Sequence, residues 1–167
     1  MMERQGTLVL GLGNDLISDD GFGPAVACIC RTLLANRPDV VVEAASVAGL
    51  NLLDLLSGHT RALIVDVVQT GASEPGTLIE WPVERASAGR TLGGSHQTDL
   101  LTTLALGRSL GYALPDSISL LVAEAEDLLT VHEGLTPAVA ISVPIAAEMA
   151  RFWVETGALP ATDRHAG

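Results

Sequence analysis

Short apolar runs that do not alternate are the feature that most constrains how this chain can fold. Residues 7–12 read Thr-Leu-Val-Leu-Gly-Leu and residues 61–68 read Arg-Ala-Leu-Ile-Val-Asp-Val-Val. A strand wetted on one face alternates apolar and polar side chains, whereas a strand covered on both faces does not. The spacing predicts strands over 7–12, 40–45, 61–68, 76–81 and 117–123, and helices over 24–35, 50–56, 98–110 and 136–156. Strands that alternate with helices in this way make a largely parallel sheet with helices on both faces. Residues 84–95, rich in Ala, Gly, Ser and Arg, read as a loop. Pro144 is expected to kink or interrupt the last helix, because it has no backbone N–H to give the ladder. One domain over residues 1–157 is expected, followed by a frayed tail over 158–167.

Charge and composition remove several functions. Twenty acidic against nine basic side chains give a net charge of −11, which argues against nucleic acid or anionic lipid as the main partner. With aromatics at 3%, platforms for base stacking are not expected. All nine basic residues are arginine. Schiff-base chemistry, lysine-primed nucleophiles and the phosphate loop ending in Gly-Lys-Ser/Thr all need a lysine that this sequence lacks. Cys28 and Cys30 lie two apart in a helix, a spacing that suits neither a zinc knuckle nor a redox pair, so both read as small buried hydrophobes. No apolar stretch reaches the roughly 18 residues of a membrane span and no secretory signal is evident, so a cytoplasmic location is expected.

Ligands of an open parallel sheet bind beyond the carboxyl ends of its strands, where the strand order reverses. The polar residues expected there are Asp20, in the loop after the first strand, Asp66, inside the third, and His96, just before the helix at 98. Two carboxylates and an imidazole could hold a borderline divalent ion such as nickel or zinc, with open positions for water or substrate. Each also has a plain structural reading, as a cap, a loop acceptor or a loop residue. The Gly11-x-Gly13 pair is a weak match to a dinucleotide loop, because position 16 is leucine. Neither a zincin motif at His132 nor a Gly-x-Ser-x-Gly elbow is present. Thr136-Pro137 reads as a helix cap followed by a first-turn proline, Trp81 and Trp153 as core, and His59 and His165 as solvated.

Taken together, the segments Gly11-Leu-Gly-Asn14, Asp19-Asp20-Gly21-Phe-Gly23, the Asp66 strand, Pro75-Gly76-Thr77, Ser95-His96-Gln97 and Gly134-Leu-Thr-Pro137 resemble the nickel–iron hydrogenase maturation endopeptidases. The resemblance runs from about residue 7 to 155. It implies an α/β fold, a three-layer α/β/α sandwich around a five-stranded, mostly parallel twisted sheet with one antiparallel edge strand. It also implies an activity, the removal of a C-terminal extension from a nickel-loaded hydrogenase large-subunit precursor. Asp20, Asp66 and His96 would hold nickel supplied by the precursor, and zinc or another divalent ion could substitute in vitro. The ion could polarise the scissile carbonyl or activate water, and if it does neither, Asp20 or Asp66 would serve as general base. Asn14, Asp19, Gly49, Gln97 and His132 would line the substrate cleft, although Asp19 and His132 also read as structural loop residues. Two departures from the family pattern stand out. Some relatives carry Glu where this chain has Asp20, and many carry Asp-Gly-Gly-Thr where it has Ala44-Ala45-Ser46-Val47. A non-catalytic docking protein for a metalloprotein precursor, or a nucleotide-binding protein, are the alternatives.

Overall fold

The computed structural model describes residues 5–47, 50–83 and 100–162. Strands β1 (Gln5–Leu12), β2 (Val40–Ala45), β3 (His59–Val68), β4 (Leu78–Trp81) and β5 (Ser117–Glu124) form one sheet in the order β2-β1-β3-β5-β4. The β1–β2, β1–β3 and β3–β5 pairs are parallel, and β4 runs antiparallel to β5 at the edge. Strand order therefore reverses between β1 and β3, which places the switch point at the two most apolar runs in the sequence.

Helices α1 (Phe22–Leu33) and α4 (Pro137–Thr156) cover one face, and α2 (Leu50–Leu56) and α3 (Leu100–Ser109) cover the other. Period-two geometry divides β3 between the two layers. Leu63, Val65 and Val67 pack with Phe22, Val26 and Trp153, whereas Ala62, Ile64 and Val68 pack with Leu53, Leu56 and Leu104. Residues 62–68 are buried without a break, which is why the run carries no polar alternation. Each fully buried Val, Leu or Ile among them contributes about 1.5–3 kcal/mol relative to exposure.

Glycine lets α1 seat deeply on the sheet. A Cβ on Gly23 would run into Leu12 O and lie 2.7 Å from Val65 O, so the helix starts directly over the carboxyl ends of β1 and β3. At the opposite end, the guanidinium of Arg61 lies 4.9 Å from the Trp153 ring centroid and donates to Thr7 Oγ1 at 2.8 Å and to the carbonyl of Val154. It thereby pins the last turn of α4 to the start of the central strands, where a cation suits the helix dipole.

Four expectations need correction. Pro144 does not break α4, which runs unbroken for 20 residues. The proline and Ala140, whose carbonyl it cannot serve, are both exposed, so water can take that bond. The tail does not fray at Gly157, since Leu159 is buried in the core beside Trp153 and the Thr162 hydroxyl accepts from Glu80 N–H at 3.3 Å. Residues 163–167, with His165, lie outside the described residues. His59 is 8% exposed, and burial lowers its imidazole pKa, so it is a core histidine. Of the two cysteines, Cys30 is buried as expected, its thiol pushed up to about 12 by burial and then by Glu148, but Cys28 is exposed.

Among the described residues, α4 alone is long and apolar enough to cross a membrane by length and composition. Its Val139, Ala146, Ala147, Ala150 and Trp153 are buried in the core beneath it, and Glu148, Arg151 and Glu155 form exposed ion pairs along it. That is the pattern of a core helix.

Candidate active site

The loop between β1 and α1 is built to carry its acids inward. Gly13 has φ +145°, and a Cβ there would collide with Asp20 O. Asn14 folds the loop through its side chain, Oδ1 accepting Leu16 N–H at 3.0 Å, and its own N–H donates to Asp20 Oδ2 at 3.0 Å. A 3₁₀ turn over Ser18–Gly21 follows. Ser18, with φ 39°, is the one non-glycine residue of positive φ among the described residues. Backbone strain of this kind persists only where the surroundings enforce it. Here the enforcement comes from Asp19, which is fully buried.

Asp19 binds the loop to distant parts of the chain. Its Oδ2 accepts the N–H groups of Glu126 and Asp127 at 2.9 Å each, and its Oδ1 accepts Thr136 N–H at 2.8 Å and the Thr136 hydroxyl at 2.9 Å. Thr136 occupies the N-cap position of α4 with Pro137 next, as expected. Its hydroxyl, however, donates to Asp19 and makes no cap bond. Asp19 is thus a structural acid, and both its oxygens are spent on the fold.

Asp20 and Asp66 are each 1% exposed. Asp66 pairs in register with Val122, one step beyond the last β1–β3 pair, Gly11 with Val65, and so stands where β1 ends. Its Oδ1 accepts Val67 N–H at 2.8 Å, but its Oδ2 is buried with no hydrogen-bond partner among the described residues. Burial drives the Asp66 carboxyl well above the ordinary carboxylate range. The Val67 N–H opposes that shift and the charge of Asp20 adds to it. The first two of the sequence-derived residues therefore sit close enough to feel each other's charge.

His96, Gln97 and Gly49 lie outside the described residues. Among the described residues, no group of three His, Cys, Asp or Glu side chains is arranged to hold a metal ion. His132 is exposed and belongs to the loop after β5. Its carbonyl accepts Ser18 N–H at 2.8 Å and its N–H donates to Leu16 O at 3.0 Å, so its backbone splices that loop to the first one.

Sequence reasoning passed over Glu124, the last residue of β5 and fully enclosed. Its Oε1 accepts Thr70 N–H at 2.7 Å and Gly71 N–H at 2.8 Å, and its Oε2 accepts the Thr70 hydroxyl at 2.8 Å. It latches the loop that follows Asp66. The available signal was an acid closing the apolar run 120–124, the same kind of signal that drew attention to Asp66.

Buried acids at the switch point of a doubly covered, mostly parallel sheet define an α/β protein whose polar chemistry lies at the carboxyl edge. Comparison with known proteins narrows that class. The profile of the hydrogenase maturation protease family matches residues 28–152. The chain is 30% identical over 160 residues to the Escherichia coli hydrogenase 2 maturation protease, covering 95% of this chain and 96% of that one. It is 28% identical over 145 residues to the hydrogenase expression/formation protein HupD of Rhizobium leguminosarum bv. viciae, covering 86% of this chain and 71% of that protein. The solved structure of the E. coli hydrogenase maturating endopeptidase HybD superposes with a TM-score of 0.72 at 25% identity, over 93% of this chain and 96% of that one. This chain belongs to the hydrogenase maturation protease family and is an enzyme of that kind. The mostly parallel five-stranded sheet with one antiparallel pair is the fold expected from the resemblance.

Proposed function

We propose that this protease trims a C-terminal extension from the large-subunit precursor of a nickel–iron hydrogenase, and that it reads the precursor's nickel through Asp20, Asp66 and His96. The observation that carries the reading is the Asp20–Asp66 pair, sealed from water, with Asp66 Oδ2 left without a hydrogen bond among the described residues. Two neighbouring buried carboxyls resist full ionisation, and a cation brought by the substrate removes that resistance. Hard oxygen donors and an imidazole suit nickel, and zinc or another divalent ion would occupy the same donors in vitro. Asp66 shares its strand face with Ile64 and Val68, the face that α3 covers, and α3 begins four residues after His96.

The chemistry assigned to this chain's own residues is modest. With no lysine, and with the Cys30 thiol held at about 12, attack by water fits better than a covalent intermediate. Asp66, ionised once the substrate's cation is in place, accepts the proton of the attacking water and returns it to the amine nitrogen as the scissile C–N bond breaks, and Asp20 balances the cation.

Purified protein mixed with nickel-loaded precursor should yield a large subunit shortened at its C-terminus, read as a mass loss. A precursor that binds and keeps its mass would leave only the docking alternative. Asp66→Asn should slow trimming about 100- to 10,000-fold, the usual contribution of a general base. His96→Ala should lose the preference for nickel-loaded over nickel-free precursor, and trimming at the wild-type rate by either folded variant would overturn the assignment.

A further inference from the structure

A surface beside the buried acids has no role in the chemistry above. The loops 13–21 and 125–136 are joined at the Ile17–His132 bridge, and apolar side chains stand out from them. Leu129 is 89% exposed, Val131 82% and Leu16 51%. The backbone below them is fixed. Asp127 Oδ1 accepts the N–H groups of Leu129 at 2.9 Å and Thr130 at 3.0 Å, and Leu16 O accepts from His132. Large apolar side chains held outward on an ordered backbone mark an interaction surface more than a fault in the core. The exposed carboxylates Asp15, Glu126 and Glu133 lie on the same two loops, and neither loop contains a lysine or arginine. A cavity of about 300 Å³, lined by Asp15, Ser18, Gly21, Pro24, Gly134 and Leu135, opens between them.

We infer that these joined loops dock a segment of the precursor polypeptide that combines apolar side chains with lysine or arginine. The inference rests on the reading of the chain as a precursor protease and adds the chemistry of what it holds. An apolar centre with a polar rim is the usual anatomy of a protein interface, and a rim of one sign selects the opposite sign. A second copy of this chain would bring like-charged loops together, and an anionic membrane would be repelled by the same carboxylates. The Asp19 brace fixes the 126–127 turn relative to the turn that carries Asp20, so a segment docked here is held at a set position from the reactive pair.

Two measurements test this. Short synthetic peptides of interspersed leucine and arginine, or of leucine and glutamate, are titrated against the intact protein. The arginine series should bind at least about tenfold more tightly, a difference on the scale of interface hot spots. The Leu129→Ser/Val131→Ser protein and the Glu133→Lys protein should each lose about five- to tenfold of that affinity with unchanged melting temperature. Glu80→Lys, the same charge change on the edge strand β4 and outside the two loops, should lose little. With nickel-loaded precursor, the same loop variants should raise KM and leave kcat unchanged. Equal losses from Glu80→Lys and Glu133→Lys would reduce the effect to net charge and overturn the docking surface, as would wild-type affinity in the leucine–valine variant. Failure of the wild-type protein to shorten any precursor would sink the proposed function, and the peptide series decides the docking surface separately.

Discussion

Asp19 and Glu124 on one hand, and Asp66 on the other, stand at the same edge of the sheet and are equally shut off from water. Their oxygens differ. Those of Asp19 and Glu124 are taken up by backbone N–H groups and threonine hydroxyls from segments far away in sequence. Asp66 has one oxygen on its neighbour's N–H and one with no partner among the described residues, beside the charge of Asp20. A buried acid whose lone pairs are filled is a staple. One left open next to a second acid works against the fold and is retained for what it meets.

That contrast can be broken at three points. The largest effect is expected from Asp19→Ala, which strands the N–H groups of Glu126, Asp127 and Thr136 in a buried site. Urea unfolding followed by circular dichroism should show a loss of about 3–5 kcal/mol, and wild-type stability would end the view of Asp19 as a staple. Glu124→Gln keeps an acceptor for the Thr70 and Gly71 N–H groups while removing the charge, so the same measurement should give about 1–2 kcal/mol. Asp66→Asn should change stability least, within about 1 kcal/mol at neutral pH, and with a characteristic sign. The native carboxyl titrates above its ordinary value of 3.8. The stabilisation from its protonated form is therefore complete below that value and is lost as pH rises through the window above it. Melting temperatures taken from pH 4 to 8 should show Asp66→Asn gaining on wild type as pH rises, and a gain that shrinks instead would contradict the assigned burial.

The fold was legible because its strands are short, mostly apolar runs that do not alternate. The bounds of β2 and α2 could be read from the residues alone, whereas the pairing of β1 with β3 is seen only in the structure. The site was legible only in part. Adjacent acids such as Asp19 and Asp20 look identical in a sequence, and which one becomes a brace depends on partners more than 100 residues away. Glu124 was missed for a similar reason, because a carboxyl at a strand end gives no sign of the loop that will fold over it. His59 was read as solvated. The parallel pairing of β3 with β1, Gln5 opposite His59, instead draws it into the sheet. Pro144 is the opposite case, in which a rule about the helix ladder was outweighed by a position facing solvent.

The closing segment, held against Glu80 N–H through the Thr162 hydroxyl, has a consequence of its own. β4 is an outermost strand with a hydrogen-bonding row turned away from its neighbour, and such rows recruit other chains. By occupying one donor of that row, the segment after α4 covers part of that edge. It discourages edge-to-edge stacking in a small acidic enzyme.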